Sequence, residues 1–254
     1  MTETEVPDDH PRHASLVTRH RIEAGVEAGI TSRQGLIAQG RGEAFDYLLG
    51  ERTLPSADDA ERAAAATLLN ADRPVISVNG NVAALAPEET VDLADAVDAD
   101  IEVNLFNHTT ERARRIADHL SQHGADEVKG LTGDGEIPGL DNARGVVDAD
   151  GIGAADVVVV PLEDGDRAEA LAAMGKTEIV IDLNPGSRSP QTAAIPIIDN
   201  LLRAVPNVTE HARGLARADR TERQAIIDAF DAGDALDDAE YAIREGTFAT
   251  DAET

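Results

Sequence analysis

The sequence predicts a doubly wound α/β domain built on a mainly parallel sheet. Three observations lead there. Between Val75 and Leu215, short apolar runs alternate with stretches of helical spacing. The runs are β-branched and do not alternate with polar residues, most clearly in the four valines at 157–160, as strands covered on both faces require. Hydrophobic residues make up 42% of the chain but aromatics only 2%, so the core must be layered from Val, Ile, Leu and Ala.

The elements follow in order. Ser15 to Gly29 has helical spacing, Gly35 to Gly42 reads as a glycine-punctuated loop, and Glu43 to Leu49 is helical again. "PSADDAERAAAATLLNADRP" is a helix leading into the strand "VISVN". "PEETVDLADAV" is a helix with Pro87 at an early position and acids in its first turn. After the strand "IEVNLF", "TTERARRIADHLSQHG" reads as a helix opened by a threonine cap and closed by Gly124. "DEVKGL" is a short strand and "GDGEIPGLDNARG" a loop. "ADVVVVPL" is a buried strand, "DGDRAEALAAMG" a helix ended by Gly175, and "TEIVIDLN" and "AIPIID" two further strands. "NLLRAVPNVTEHARGL" is a helix expected to break near Pro206. We divide the chain into an acidic tail (1–9), the α/β domain with its N-terminal helical segment (10–215) and an acidic helical extension (216–254).

Composition excludes several function classes. There is no cysteine, hence neither disulfide nor thiolate chemistry. No run of about 18 apolar residues is present, so no membrane partner is expected. The acidic start "MTETEVPDDH" is not a secretory signal, which makes the cytoplasm the expected location. The net charge of −27, carried against 20 Arg and only 2 Lys, fits a halophilic cytoplasm and speaks against a nucleic-acid partner. The charge is unevenly spread. Residues 55–175 carry 8 basic against 25 acidic groups, whereas 10–54 carry 6 against 5 and 176–215 carry 4 against 4. The two neutral islands either face an anionic ligand or are buried.

In a doubly wound sheet, ligands sit beyond the carboxyl ends of the strands. Five such ends finish in polar residues: Asn79-Gly80-Asn81, Asn104, Glu163-Asp164, Asp182-Leu183-Asn184 and Asp199-Asn200. Together they predict a polar crevice. Gly40-Arg41-Gly42 offers a planar guanidinium between residues that permit close backbone approach, a phosphate-binding candidate, although on these residues alone a mere turn is the stronger reading. In "IDLNPGSRSPQTA", Asp182 and Asn184 suit a ribose or a Mg²⁺-bound water, and Ser187 and Arg188 suit a phosphate. Asp164 and Asp166 offer water-mediated metal contacts or simply complement a helix dipole. His119 and His123 are four apart on a helix but lack zinc-protease surroundings, so no metal ligand is assigned. There is no Walker loop, no dinucleotide fingerprint and no serine elbow.

Several blocks then stand out: "GLIAQGRGEAFDYLLGE", "PVISVNGNVAALAPEE", "ADVVVVPLEDGDRAEAL", "IDLNPGSRS" and "IDN" followed by "RAVPN". With them the chain from His10 to Leu215 resembles the archaeal 4-phosphopantoate–β-alanine ligases, also called archaeal phosphopantothenate synthetases. Gln39 and Gly186 depart from the family pattern of a histidine and a bulkier apolar residue. The resemblance implies Rossmann-like homodimers that join 4-phosphopantoate to β-alanine with ATP and Mg²⁺, through a phosphopantoyl adenylate with release of AMP and diphosphate. It places ATP on Arg19, Arg41, Asp182, Leu183, Asn184, Ser187, Arg188, Asp199 and Asn200, all within the neutral islands. We add Asn79, Asn81 and Asn104 as residues orienting phosphopantoate. No catalytic residue is assigned. The alternatives are another ATP-dependent transferase or kinase, or a non-catalytic nucleotide-binding module.

Overall fold

The computed structural model describes residue 7 and residues 13–106, 108–140 and 143–245. Three helices come first: α1 (His13–Glu27), α2 (Gly35–Leu49) and α3 (Pro55–Asn70). Strand β1 (Pro74–Val78) is followed by α4 (Gly80–Leu85), α5 (Pro87–Val97), β2 (Asp100–Val103), α6 (Thr110–Gln122) and β3 (Val128–Lys129). In the segment expected to be a loop, β4 (Gly135–Glu136) forms a two-stranded antiparallel ribbon with β5 (Val146–Val147), which follows that segment directly. The alternation resumes with β6 (Val157–Pro161), α7 (Gly165–Ala173), β7 (Thr177–Asp182), α8 (Arg188–Thr192), β8 (Ile195–Ile198) and α9 (Leu201–Leu215). Helices α10 (Arg220–Ala229) and α11 (Ala232–Glu245) complete the described chain.

The main sheet has the order β3-β2-β1-β6-β7-β8, with every pairing parallel. From β1 the chain winds outward one way through β2 to β3. It then returns to β6 and winds the other way, so the topological switch point lies between β1 and β6. Both strands are buried at every residue, which is why they read as unbroken apolar runs. Side chains alternate between the faces. Ile76, Ile101, Val159, Ile179 and Ile197 point into the larger core, filled by α3, α5 and α9. Val75, Val158, Val160 and Val180 point into a smaller core closed by Leu171 of α7 and by Ile137 and Ile152. Each fully buried aliphatic side chain contributes about 1.5–3 kcal/mol. The same alternation sends Ser77, Glu102 and Glu178 into the smaller core, where they meet the buried Arg167 of α7.

Two local expectations differ from the structure. Residues 35–42 are not a loop, because α2 runs unbroken through all three glycines. A helical glycine costs about 1 kcal/mol relative to alanine, and here close packing offsets it. A β-carbon at Gly35 would stand 2.2 Å from Asn81 Oδ1, and one at Gly42 3.4 Å from Asn200 Nδ2. The glycines therefore let a helix approach, where the sequence suggested a turn. Likewise α9 continues through Pro206. The proline removes one donor, but Ala204, Val205, Val208 and Ala212 hold the helix against the core on both sides of it.

Candidate active site

The switch point is built from the bend after β1 and the bend after β6. Asn79 caps α4, its Oδ1 accepting from the Asn81 and Val82 amides at 3.0 and 3.1 Å. Its Nδ2 donates to Pro161 O at 3.0 Å, tying the two strand ends together. On the other side Leu162 is held at φ +54°, a conformation that costs a non-glycine residue about 1–2 kcal/mol. Its amide donates to Ile181 O at 2.9 Å, which helps fix it there. Helix α2 lies across this opening. Its first turn is bracketed by Asn81, whose Nδ2 donates to Gly35 O at 3.0 Å and whose Oδ1 accepts from Thr31 at 2.5 Å.

Two adjoining hollows result. The first, of about 320 Å³, is lined by Asn79, Gly80 and Asn81 and by the guanidinium-bearing residues Arg41, Arg112 and Arg144. The second, of about 350 Å³, is lined by Asp182, Leu183 and Asn184 at the end of β7 and by Phe45, Leu48 and Ile243. Ala38, Arg41, Leu162 and Asp164 border both, so the two form one crevice with Arg41 at the junction.

The cations of the first hollow are held in place. Arg112 enters from the first turn of α6, which Thr109 caps, and its Nε donates to Ile30 O at 3.0 Å. Arg144 forms an ion pair with Glu163, contacts Asp164 at 3.4 Å and lies 5.4 Å from the centre of the Phe106 ring. Burial lowers the pKa of both arginines from the usual range, the signature of cations held partly out of water. An anion entering the hollow would relieve that penalty. Glu163 is in turn fixed by Arg167 at 2.9 Å.

Of the residues singled out in the sequence, Arg41, Asn79, Asn81, Asp182, Leu183 and Asn184 line this crevice. Asp182 Oδ1 accepts from the Leu183 and Asn184 amides, and its Oδ2 accepts from Ser187 at 2.7 Å, so Ser187 shapes the β7 turn. Asn104 is buried beside the crevice, and its Nδ2 donates to Arg144 O and Val146 O, both at 3.2 Å. Arg188 is exposed and paired with Asp166 at 2.7 Å and Glu169 at 3.5 Å. Arg19 binds Glu43. Desolvation pushes the Glu43 carboxyl up, but hydrogen bonds from Arg19, Ser15 and Tyr47 outweigh it and bring the carboxyl down to about 2. Asp199 is buried between Thr53 at 2.6 Å and Arg203 at 2.6 Å, and Asn200 donates to Asp46 at 2.9 Å. Asn200 borders a separate hollow of about 220 Å³ with Gln39, Glu43 and Tyr47.

The sequence reading did not single out Arg112, Arg144 or Phe106. One signal was available for the arginines, since both interrupt the most heavily acidified part of the chain.

The sequence model of the phosphopantothenate/pantothenate synthetase family matches residues 56–246, which include every strand of the sheet. This chain belongs to that family. Its relatives include the 4-phosphopantoate–β-alanine ligase of Thermococcus onnurineus, 53% identical over 94% of this chain and 92% of the relative. The ligase of Methanosarcina mazei is 52% identical over 99% of both chains. Arg41 lies N-terminal to the span that the family model matches, whereas the similarity to the Methanosarcina mazei ligase, over 99% of this chain, extends across it.

Proposed function

We propose that the chain is an ATP-dependent 4-phosphopantoate–β-alanine ligase acting in the route to coenzyme A, through a phosphopantoyl adenylate. The observation that carries this reading is the continuous crevice at the switch point, with three arginines in one half and a polar strand end with an apolar wall in the other. The first half suits the phosphate of phosphopantoate, gripped by Arg112 and Arg144, with Asn79 and Asn81 toward its hydroxyls. The second suits adenosine, with Asp182 and Asn184 toward the ribose and Phe45, Leu48 and Ile243 around the base. Arg41 at the junction then meets the α-phosphate of ATP beside the substrate carboxylate. Arg19, Ser187, Arg188, Asp199 and Asn200 are assigned to the nucleotide as well, Ser187 through its bond to Asp182.

The chemistry follows. A carboxylate oxygen attacks the α-phosphorus, and the bond to the β-phosphate oxygen breaks to release diphosphate. The amine of β-alanine then attacks the acyl carbon, and the bond to the AMP oxygen breaks. The protein contributes mainly position and charge neutralisation. Asp164, exposed and bordering both hollows, is the carboxylate we assign to the β-alanine ammonium. Asp182 is the oxygen donor that suits a Mg²⁺-bound water, the cation arriving with ATP and offsetting phosphate charge.

The exposed face of α2 carries Leu36, Ile37, Tyr47 and Leu48, four of the eight large exposed hydrophobic residues among those described. Gly40 on the same helix has no neighbour within 4 Å of an added β-carbon. We place a homodimer seam on that face. The charge of −27 supports a halophilic, cytoplasmic setting for the domain and its acidic extension.

The test is a product assay in concentrated KCl with Mg-ATP, 4-phosphopantoate and β-alanine. AMP formed only with both organic substrates is the expected result. ADP would instead indicate a kinase or acyl-phosphate route, and binding without turnover a nucleotide-binding module.

A further inference from the structure

Away from the crevice, α3 and α9 enclose a second cluster of chemistry-bearing side chains. Asp58 and Glu61 are three residues apart and so share one face of α3, and His211 faces them from α9. One ligand atom from each lies within 4.8 Å of the others. His211 Nε2 stands 2.9 Å from Asp58 Oδ1.

Glu61 sets the cluster apart from a surface ion pair. It is 0% exposed, amid alanines at 60, 63, 64 and 65 that are equally buried. Its Oε2 accepts from Asn207 Nδ2 at 3.0 Å, whereas its Oε1 is buried with no hydrogen-bond partner. A carboxyl oxygen left without a donor in an apolar interior is destabilising. Burial, with the nearby charges of Asp199 and Asp58 adding to it against the Asn207 hydrogen bond, pushes this carboxyl up to about 9. A cation held by Glu61, Asp58 and His211 would offset the charge of a carboxylate that is buried with one oxygen unpartnered.

We propose that Asp58, Glu61 and His211 form a binding site for a divalent transition-metal cation that clips α3 to α9. The donor set is two carboxylate oxygens and one imidazole nitrogen, which favours Zn²⁺, Mn²⁺ or Co²⁺ over the all-oxygen preferences of Mg²⁺ and Ca²⁺. Asp58 is exposed, giving an entry path and room for water to complete the coordination. A supporting shell is present, since Asn207 Nδ2 also lies within hydrogen-bond distance of Thr53 Oγ1 at 3.0 Å, and Thr53 donates to the buried Asp199. The role is structural. A cation bound only by the folded chain stabilises it by mass action.

The experiment uses the full chain, stripped with chelator and dialysed into concentrated KCl so that the diffuse acidic surface is screened. Titration with Co²⁺ is expected to give a visible absorption band saturating at one ion per chain, displaced by Zn²⁺, with a rise in Tm. His211→Ala should abolish the band, and Glu61→Gln should weaken binding at least about tenfold. Asp59→Asn, an exposed neighbour on α3, should leave both unchanged. Binding that survives His211→Ala, or no saturating band in the wild-type chain, would overturn the site. Should Glu61→Gln fail to fold, the partly exposed His211 still decides the matter. None of these readouts depends on ligase activity.

Discussion

Asn104 holds the main chain of Arg144: the Asn104 side-chain Nδ2 donates to Arg144 O at 3.2 Å and, at the same distance, to Val146 O. A strand-end asparagine that looked like a ligand contact thus fixes the loop presenting a crevice arginine. Asn104→Ala removes two hydrogen bonds, one buried and one partly buried, and leaves two carbonyls to find new donors, at about 1–3 kcal/mol. We expect kcat/KM to fall at least about tenfold. Arg144→Ala should cost as much or more, and the double variant should be far from additive, because both changes remove the same guanidinium from the hollow. Additive effects in that cycle would show that Asn104 acts independently of Arg144.

Arg41 sits at the junction of the two hollows, whereas Arg188 points at Asp166 and Glu169. Arg41→Ala is therefore expected to reduce turnover or raise the KM for ATP at least tenfold, about 1.4 kcal/mol, with the far-UV spectrum and oligomeric state retained. Arg188→Ala should cost less than Arg41→Ala under the same conditions. The reverse ranking in steady-state kinetics would move the α-phosphate site from α2 to the β7 turn.

Asp164 borders both hollows and is largely exposed. If it meets the β-alanine ammonium, Asp164→Asn raises the KM for β-alanine at least about fivefold, on the order of 1 kcal/mol, and leaves the KM for ATP within about twofold. An equal rise in both would assign the carboxylate to the nucleotide and its cation.

How much of this was legible depended on what kind of contact carried the information. The parallel sheet announced itself because Val157 to Val160 are buried on both faces, and that leaves a local, unalternating pattern. The crevice was legible as strand ends, since the carboxyl-end rule needs only strand order. The course of α2 was not. Gly35 and Gly42 are there to clear Asn81 and Asn200, residues 46 and 158 positions away, and a local reading assigns such glycines to a loop. Arg112 and Arg144 were hidden for the same reason. Their entry depends on Ile30, Asn104 and Glu163 acting from other parts of the chain. Nor does the Glu61 site carry a sequence signature, because His211 lies 150 residues further on.

The smaller core offers a prediction about pH. Glu178 of β7 and Glu102 of β2 both face the fully buried Arg167. Burial, only partly offset by Arg167, pushes the Glu178 carboxyl up to about 7 from an ordinary value near 4.5. The sign follows from proton counting. Between those two values the folded chain holds a proton at Glu178 that the unfolded chain has lost. This contribution is therefore complete below pH ~4.5 and declines as pH rises through ~7, a loss on the order of 3 kcal/mol. Glu178→Gln keeps the shape without the charge. The variant should gain on wild type from pH 5 to about pH 7 and level off above it, when both are unfolded in urea at fixed KCl. The repulsion of the acidic surface acts on the two proteins alike, so their difference isolates the one carboxyl. A difference that stays flat across that range would mean that Arg167 compensates the Glu178 charge fully and that the two form a balanced buried pair.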